Sequence, residues 1–193
     1  MVQLTGNNLI STAIFISGRG TNLKSLIKFS KKKNSPINIK LIISNTNMAK
    51  GLKYSKVYKI QKKVIDFKNK NIAEKKLLNL LSKKKIRFIC LAGFMKILSK
   101  KFIKNFNGKI LNIHPSLLPK YKGLHTHEKV IKNNEIYSGC TVHYVNSKLD
   151  SGKIILQKKI KISKNDTAKK LAKKILIQEH KLYPKAILKI FSP

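Results

Sequence analysis

Two residues near the middle of the chain have the types and the spacing for chemistry at a carbonyl. Asn112 and His114 lie in the run Ile110-Leu111-Asn112-Ile113-His114-Pro115. Alternate side chains of a strand share a face, so this carboxamide and imidazole project together while Leu111 and Ile113 point the other way. Pro115 ends the strand. A carboxamide can donate to an oxyanion as it develops, and an imidazole can act as general acid or base near neutral pH. The plainer reading is a hydrogen-bonded structural pair at a strand end.

Carboxylates that could complete such a site are scarce. The chain has 7 of them: Asp66, Glu74, Glu128, Glu135, Asp150, Asp166 and Glu179. Asp150 sits in the turn Leu149-Asp150-Ser151-Gly152, where Asp near Gly is ordinary turn chemistry. Its functional reading needs the carboxylate to fold over His114, favour the imidazolium and raise its pKa. Glu179 shares a helical face with Ala172, Leu176 and Tyr183. An acid in register with apolar residues points inwards or into a cleft and needs a partner, either a polyol ligand or a lysine.

A third motif is Ser17-Gly18-Arg19-Gly20-Thr21-Asn22-Leu23, directly after the apolar run Ala13–Ile16. A strand, a glycine turn and a helix start together present backbone N–H groups to an anion, and Thr21 or Asn22 can cap the helix. It is neither a Walker A loop nor Gly-x-Gly-x-x-Gly, since Leu23 stands at the third glycine position. A tight turn with a cap is the alternative. His125 and His127 lie at i and i+2, but no Cys or carboxylate accompanies them at ligand spacing, so no metal is expected.

The elements that must position these groups follow from periodicity. Thr12–Ser17, Ile39–Ser44, Ile86–Ala92 and Lys109–Ile113 read as strands. Asn22–Phe29, Met48–Tyr54, Ile72–Lys83 and Ser99–Phe106 read as helices, with Leu77, Leu78 and Leu81 forming an apolar stripe. Gly139–Asn146 and Lys153–Ile162 alternate apolar and polar residues and are joined by Ser147–Gly152, which reads as a β-hairpin. A last helix starts near Asp166 and runs towards Pro184. The expected architecture is α/β: a single-domain, Rossmann-like, mainly parallel open sheet flanked by helices, with an antiparallel hairpin in the C-terminal part. Ligands in such sheets sit outside the carboxyl ends of the strands.

Composition sets the outer bounds. The 193 residues carry 43 Lys+Arg against 7 Asp+Glu, a formal charge of +36, and 42% of them are hydrophobic. Collagen-like, disulfide-rich and disordered classes are excluded. No apolar run reaches the roughly 18 residues of a membrane span. The polar start Met1–Ser11 shows no signal-peptide pattern, and a cytoplasmic location is expected. Cys90 and Cys140 lie in apolar strand-like stretches and read as buried thiols. The charge invites a nucleic-acid reading, but arginine occurs only at Arg19 and Arg87, aromatics are 7%, and the lysines are spread along the whole chain. That pattern reads as a solvated surface that steers anionic ligands, not as a specific nucleic-acid face.

Ile16–Leu23, Leu91–Leu98, Leu111–Tyr121, Gly123–His127 and Leu149–Gln157 together resemble the phosphoribosylglycinamide formyltransferases, folate-dependent enzymes of purine synthesis. The resemblance runs from Thr12 to about Pro184. Asn112-Ile113-His114-Pro115-Ser116-Leu117-Leu118-Pro119 is typical of folate formyltransferases and their relatives. Gly123-Leu124-His125-Thr126-His127 narrows it to the glycinamide enzymes. A methionyl-tRNA formyltransferase would show Arg-Gly-Ala there and carry a further C-terminal domain.

The resemblance implies one formyltransferase domain over residues 1–193, transfer of a formyl group from 10-formyltetrahydrofolate to the amine of 5-phosphoribosylglycinamide, and a catalytic trio of Asn112, His114 and Asp150. It places substrate phosphate on Gly20, Thr21 and Asn22, and ribose on Glu179. It places folate on Lys70, Met95, Lys96, Ile97, Leu98 and Asn112, with main-chain contacts from Val145–Asp150. The expected partners are these small molecules, with no tightly bound cofactor, no metal, no membrane and a monomer or homodimer. Lys70 and Lys96 stand where arginine is familiar, and Lys122 where proline is frequent. The alternative is a formyltetrahydrofolate deformylase, which usually has a second histidine where Pro115 stands and an N-terminal regulatory domain.

Overall fold

The structure is a computed structural model that describes residues 9–191, so most of the start Met1–Ser11 lies outside the described residues. Seven strands form one sheet in the order β3-β2-β1-β4-β5-β6-β7. They are β1 (Ile10–Ile16), β2 (Ile37–Ser44), β3 (Gln61–Val64), β4 (Phe88–Leu91), β5 (Lys109–His114), β6 (Tyr137–Tyr144) and β7 (Ile154–Lys161). Strands β1 to β5 pair in parallel. β6 and β7 extend the sheet antiparallel. The helices are α1 (Thr21–Ser30), α2 (Lys53–Tyr58), α3 (Lys70–Lys83), α4 (Lys100–Asn105), α5 (Thr126–Lys132) and α6 (Ala168–Phe191). The α/β architecture with its antiparallel hairpin is therefore the one expected.

β1 shows why the central strands read as continuous apolar runs. Ala13 and Phe15 pack with Leu77 and Leu81 of α3 and Phe102 of α4. Ile14 and Ile16 face the opposite core, with Leu23 and Leu26 of α1 and Ile175 and Ile187 of α6. A strand covered on both faces needs apolar residues at every position. Each such side chain contributes about 1.5–3 kcal/mol on burial.

The departures have local causes. β3 is an exposed edge strand that pairs through its backbone with β2. Its Lys62 and Lys63 have no apolar alternation to reveal it, and charge at such an edge discourages pairing with another chain. α5 buries only Thr126 and Val130, one face at i, i+4 spacing, which is too little for a periodic signal. In place of the Met48–Tyr54 helix, the chain forms a 3-10 turn at Lys50–Leu52 and then α2. The Gly51 N–H donates to the Gly18 carbonyl at 2.9 Å, which ties that turn to the glycine loop.

α6 does not stop near Pro184 but continues to Phe191. Proline inside a helix costs about 3 kcal/mol. Tyr183, Ala186 and Ile187 are all completely buried around it, and that burial outweighs the cost. Cys90 and Cys140 are buried and free. Burial pushes the Cys140 thiol up to about 12 and raises Cys90 as well, so neither is a thiolate near neutral pH.

The Tyr183 hydroxyl is within 3.2 Å of the Leu91 carbonyl at the end of β4 and 3.0 Å of the Leu111 carbonyl inside β5. Tyr183→Phe removes the donor and leaves both buried carbonyls without it. We expect a loss of about 1–2 kcal/mol in urea unfolding; an unchanged midpoint would show that the hydroxyl does not fasten α6 to the sheet.

Candidate active site

A cavity of about 850 Å³ opens at the carboxyl ends of β1, β4 and β5. This is where the strand order reverses, the usual ligand position in an open α/β sheet. Gly20, Thr21, Asn22, Met95, Lys96, Ile97, Leu98, Asn112, His114, Asp150 and Glu179 all line it, as do Val145, Asn146, Lys148 and Leu149. Lys70 does not. It is the exposed first residue of α3, outside the cavity wall.

At one end lies the glycine loop. Gly20 is the N-cap of α1 with φ 72° and makes no side-chain cap. Neither Thr21 nor Asn22 caps the helix as anticipated, because the left-handed residue that starts it lies one position earlier. The first N–H groups of α1 therefore have no side-chain acceptor, and such groups attract an anion. A Cβ on Gly20 would stand 2.7 Å from Gly51 Cα, so only glycine fits on either side of that contact. Gly51 escapes sequence reading because it lies some thirty positions from the loop it supports.

Asn22 is spent on another task. Its Nδ2 donates to Glu179 Oε2 at 2.7 Å, in a buried pair that joins α1 to α6. Burial pushes the Glu179 carboxyl up, and the Asn22 hydrogen bond only partly opposes this. Asn22 Oδ1 is buried with no partner. Ala172, Leu176 and Glu179 share the cavity-facing side of α6, as their spacing requires, while Tyr183 lies deeper.

The cavity floor is built by β5, β6 and the turn before β7. Asp150 does fold over His114: Oδ2 lies 3.3 Å from His114 Nδ1 and accepts from the Gly123 N–H at 2.9 Å. Oδ1 accepts from Asn112 Nδ2 at 3.3 Å. His143, which sequence reading missed, is 2% exposed. Its Nε2 lies 3.2 Å from Asn112 Nδ2 and 3.6 Å from Asp150 Oδ1. The available signal was register: His143 pairs directly with Asn112 across β5 and β6.

The protonation balance differs from expectation. Burial lowers the His114 pKa more than the Tyr121 carbonyl and the Asp150 charge raise it, and His143 lowers it further. Asp150 does pull His114 upwards, but the net shift is downwards because desolvation is the larger effect. For Asp150 itself, burial raises the pKa. The contacts with His143 and the Gly123 N–H, with the charges of His114 and His143, outweigh this and hold it below the usual range. His114 Nε2 is 2.8 Å from the Tyr121 carbonyl, which can only accept, so Nε2 carries a hydrogen. Nδ1 then faces a carboxylate across 3.3 Å. A proton placed there converts an unfavourable lone-pair contact into an ion pair. The geometry can therefore take up one proton at that gap.

His125 is the left-handed N-cap of α5, with φ 58°. His127 lines the cavity, and its Nδ1 is buried without a partner. Among the described residues, no three His, Cys, Asp or Glu side chains are grouped to hold a metal ion. No described helix is long and apolar enough to cross a membrane.

Glu179 makes a pH-dependent test. Its folded pKa is raised, so between the unfolded value, about 4.3, and the folded one the native state holds the extra proton. Stability from this group is therefore lost as pH rises. Glu179→Gln does not titrate, and its stability relative to wild type should increase from pH 4 to pH 7.5 in urea unfolding. A constant difference would contradict the raised pKa.

Comparison with known proteins agrees with this geometry. Residues 10–187 match the family model described as formyl transferase. Phosphoribosylglycinamide formyltransferase of Haemophilus influenzae is 40% identical over 178 residues, covering 91% of this chain and 84% of the relative. The Escherichia coli protein of the same name is 34% identical over 181 residues, covering 92% and 85%. The trifunctional purine biosynthetic protein adenosine-3 of Homo sapiens is 39% identical, and the chain spans only 18% of its length. A crystal structure of phosphoribosylglycinamide formyltransferase from Brucella melitensis superposes with a TM-score of 0.91 at 38% identity, covering 96% of this chain and 97% of that one.

Proposed function

This chain belongs to the formyl transferase family, and from that premise we propose that it is a phosphoribosylglycinamide formyltransferase of de novo purine (IMP) biosynthesis, formed by one formyltransferase domain. It transfers the formyl group of 10-formyltetrahydrofolate, a cosubstrate and not a bound cofactor, to the amine of 5-phosphoribosylglycinamide. The observation that carries this reading is the Asn112, His114 and Asp150 cluster on the floor of a cavity that has an anion-binding helix start at one end. At the other end are exposed apolar side chains: Met95 61%, Ile97 57%, Leu124 60% and Leu149 49%. Apolar surface of that extent at a cavity mouth suits a flat, largely apolar ligand such as a folate.

The substrate phosphate sits against the N–H groups of Gly20, Thr21 and Asn22. The ribose hydroxyls meet Glu179 and the open Asn22 Oδ1. This anchoring supplies positioning, which can account for several kcal/mol of a barrier. The folate lies along Met95–Leu98, with Lys96 and the Val145–Asp150 main chain around it; Lys70 would have to reach in from outside the wall.

The amine attacks the formyl carbon, and the carbonyl oxygen becomes an oxyanion. Asn112 Nδ2 is held only at 3.3 Å by Asp150 in the ligand-free arrangement, while His114 Nδ1 stands 3.3 Å from the same carboxylate and becomes a donor once it takes up a proton. Hydrogen bonds that long are available to tighten onto a new oxygen. The proton lost by the amine enters the gap between His114 and Asp150. As the carbon–N10 bond breaks, a proton from that gap goes to the folate nitrogen, leaving tetrahydrofolate and the formylated amide. No metal has a role in these steps.

Absorbance-monitored release of tetrahydrofolate, with and without 5-phosphoribosylglycinamide, tests the reading. Release that requires the glycinamide is expected; equal release without it would make the protein a deformylase. Asp150 has φ 45°, a conformation that asparagine tolerates, so Asp150→Asn should keep the fold. Its turnover should fall about 100-fold or more. Wild-type turnover would remove Asp150 from the mechanism.

A further inference from the structure

We propose that Tyr121, moored by Glu135, is a positioning residue that decides which nitrogen of His114 exchanges its proton. Tyr121 follows β5 by seven residues and has the left-handed φ of 56°, unusual for an aromatic residue. Its side chain is held from two directions. The hydroxyl donates to Glu135 Oε1 at 2.8 Å, and Asn133 Nδ2 donates to the same hydroxyl at 2.9 Å. Glu135 is also held by Lys120 Nζ at 2.9 Å. Both anchors lie in the connection between α5 and β6, outside the 850 Å³ cavity.

The consequence runs through the backbone. With the ring fixed, the Tyr121 carbonyl is aimed at His114 Nε2 at 2.8 Å. A carbonyl only accepts, so Nε2 keeps its hydrogen in both the neutral and the charged ring. The exchangeable proton is then the one on Nδ1, which faces Asp150. If the carbonyl withdrew, neutral His114 could place its hydrogen on Nδ1 and take up a proton at Nε2, away from the Asp150 carboxylate and the reacting carbon. The carbonyl contact also favours the imidazolium. The other titratable groups facing the ring are Asp150 from the hairpin, His143 from β6 and His127 from α5. Glu135 acts through the tyrosine and not through its charge.

The kinetic half of this inference rests on the formyl-transfer reading; the tautomer half does not, and nuclear magnetic resonance separates them. Two-bond ¹H–¹⁵N spectra of the full chain report tautomer and pKa, with the His114 signals identified by their loss in His114→Asn. The wild type should show the Nε2–H tautomer. In Tyr121→Phe we expect a mixed tautomer, an imidazole pKa lower by roughly 0.5–1 unit, and an equal displacement of the histidine limb of the kcat–pH profile. Glu135→Ala should reproduce these shifts, and Glu135→Gln, which can still accept from the hydroxyl, should titrate like wild type. An unchanged tautomer and pKa in Tyr121→Phe would overturn the proposal. So would a Glu135→Ala variant that loses activity without any shift in the titration. If the spectra shift as expected in a protein that transfers no formyl group, the positioning stands and the formyl-transfer reading fails.

Discussion

The site depends on one buried carboxylate. Asp150 touches Asn112 and His114 from β5, His143 from β6 and the Gly123 N–H from the loop before α5. Three separate segments of chain are therefore registered on two oxygens. Removing a charge from water costs several kcal/mol unless its lone pairs are met. Here they are met by one backbone donor at good distance and by side chains at 3.3 Å or more. That division matters, because the short bond fixes the carboxylate while the long ones leave its neighbours able to turn to a substrate.

The same competition between burial and attraction sets the charge state of the cluster. The surface carries most of a formal charge of +36, yet the floor of the cavity has one anion and two adjacent imidazoles shielded from water. Long-range surface charge is screened over about 8–10 Å in ordinary salt, so the surface lysines do not dictate protonation at the cavity floor. Inside, desolvation outweighs Asp150 in its effect on His114. A mostly neutral ring beside an ionised carboxylate has room for one proton, which a ring already charged would not.

Much of this was legible in the sequence because it follows from short periods. Alternation put Asn112 and His114 on one face, and a spacing of four and three put Leu176 and Glu179 on the cavity side of α6. Continuous apolar runs marked the doubly covered strands. What escaped was set by contacts between distant segments. β3 has lysines where a strand is normally recognised, and it exists because β2 offers an unpaired edge. Gly51 matters because of Gly20, and His143 because of its register with Asn112. The sign of the His114 shift required knowing how deeply the ring is buried, and no spacing reports that. The role expected of Lys70 failed to find a place on the cavity wall because helix α3 starts outside it.

The sheet's change of direction explains how such a site can be assembled at all. Parallel strands β1, β4 and β5 deliver their carboxyl ends to one edge, which supplies the α1 start without a side-chain cap, the Met95–Leu98 wall and the Asn112 and His114 pair. A further parallel strand would need a crossover connection, whereas an antiparallel one pairs with β5 in the opposite sense. In the antiparallel pair, Tyr144 stands opposite Leu111 and the Val145 N–H donates to the Ile110 carbonyl, so the connection between Tyr144 and Ile154 leaves beside the start of β5 and folds back along the strand to bring Asp150 to Asn112 and His114. Gly152 makes the return possible: a Cβ there would stand 1.7 Å from the Tyr144 carbonyl oxygen. The tightness of that turn holds Asp150 against His114, and the hairpin thereby contributes an acid that the parallel half of the sheet does not provide.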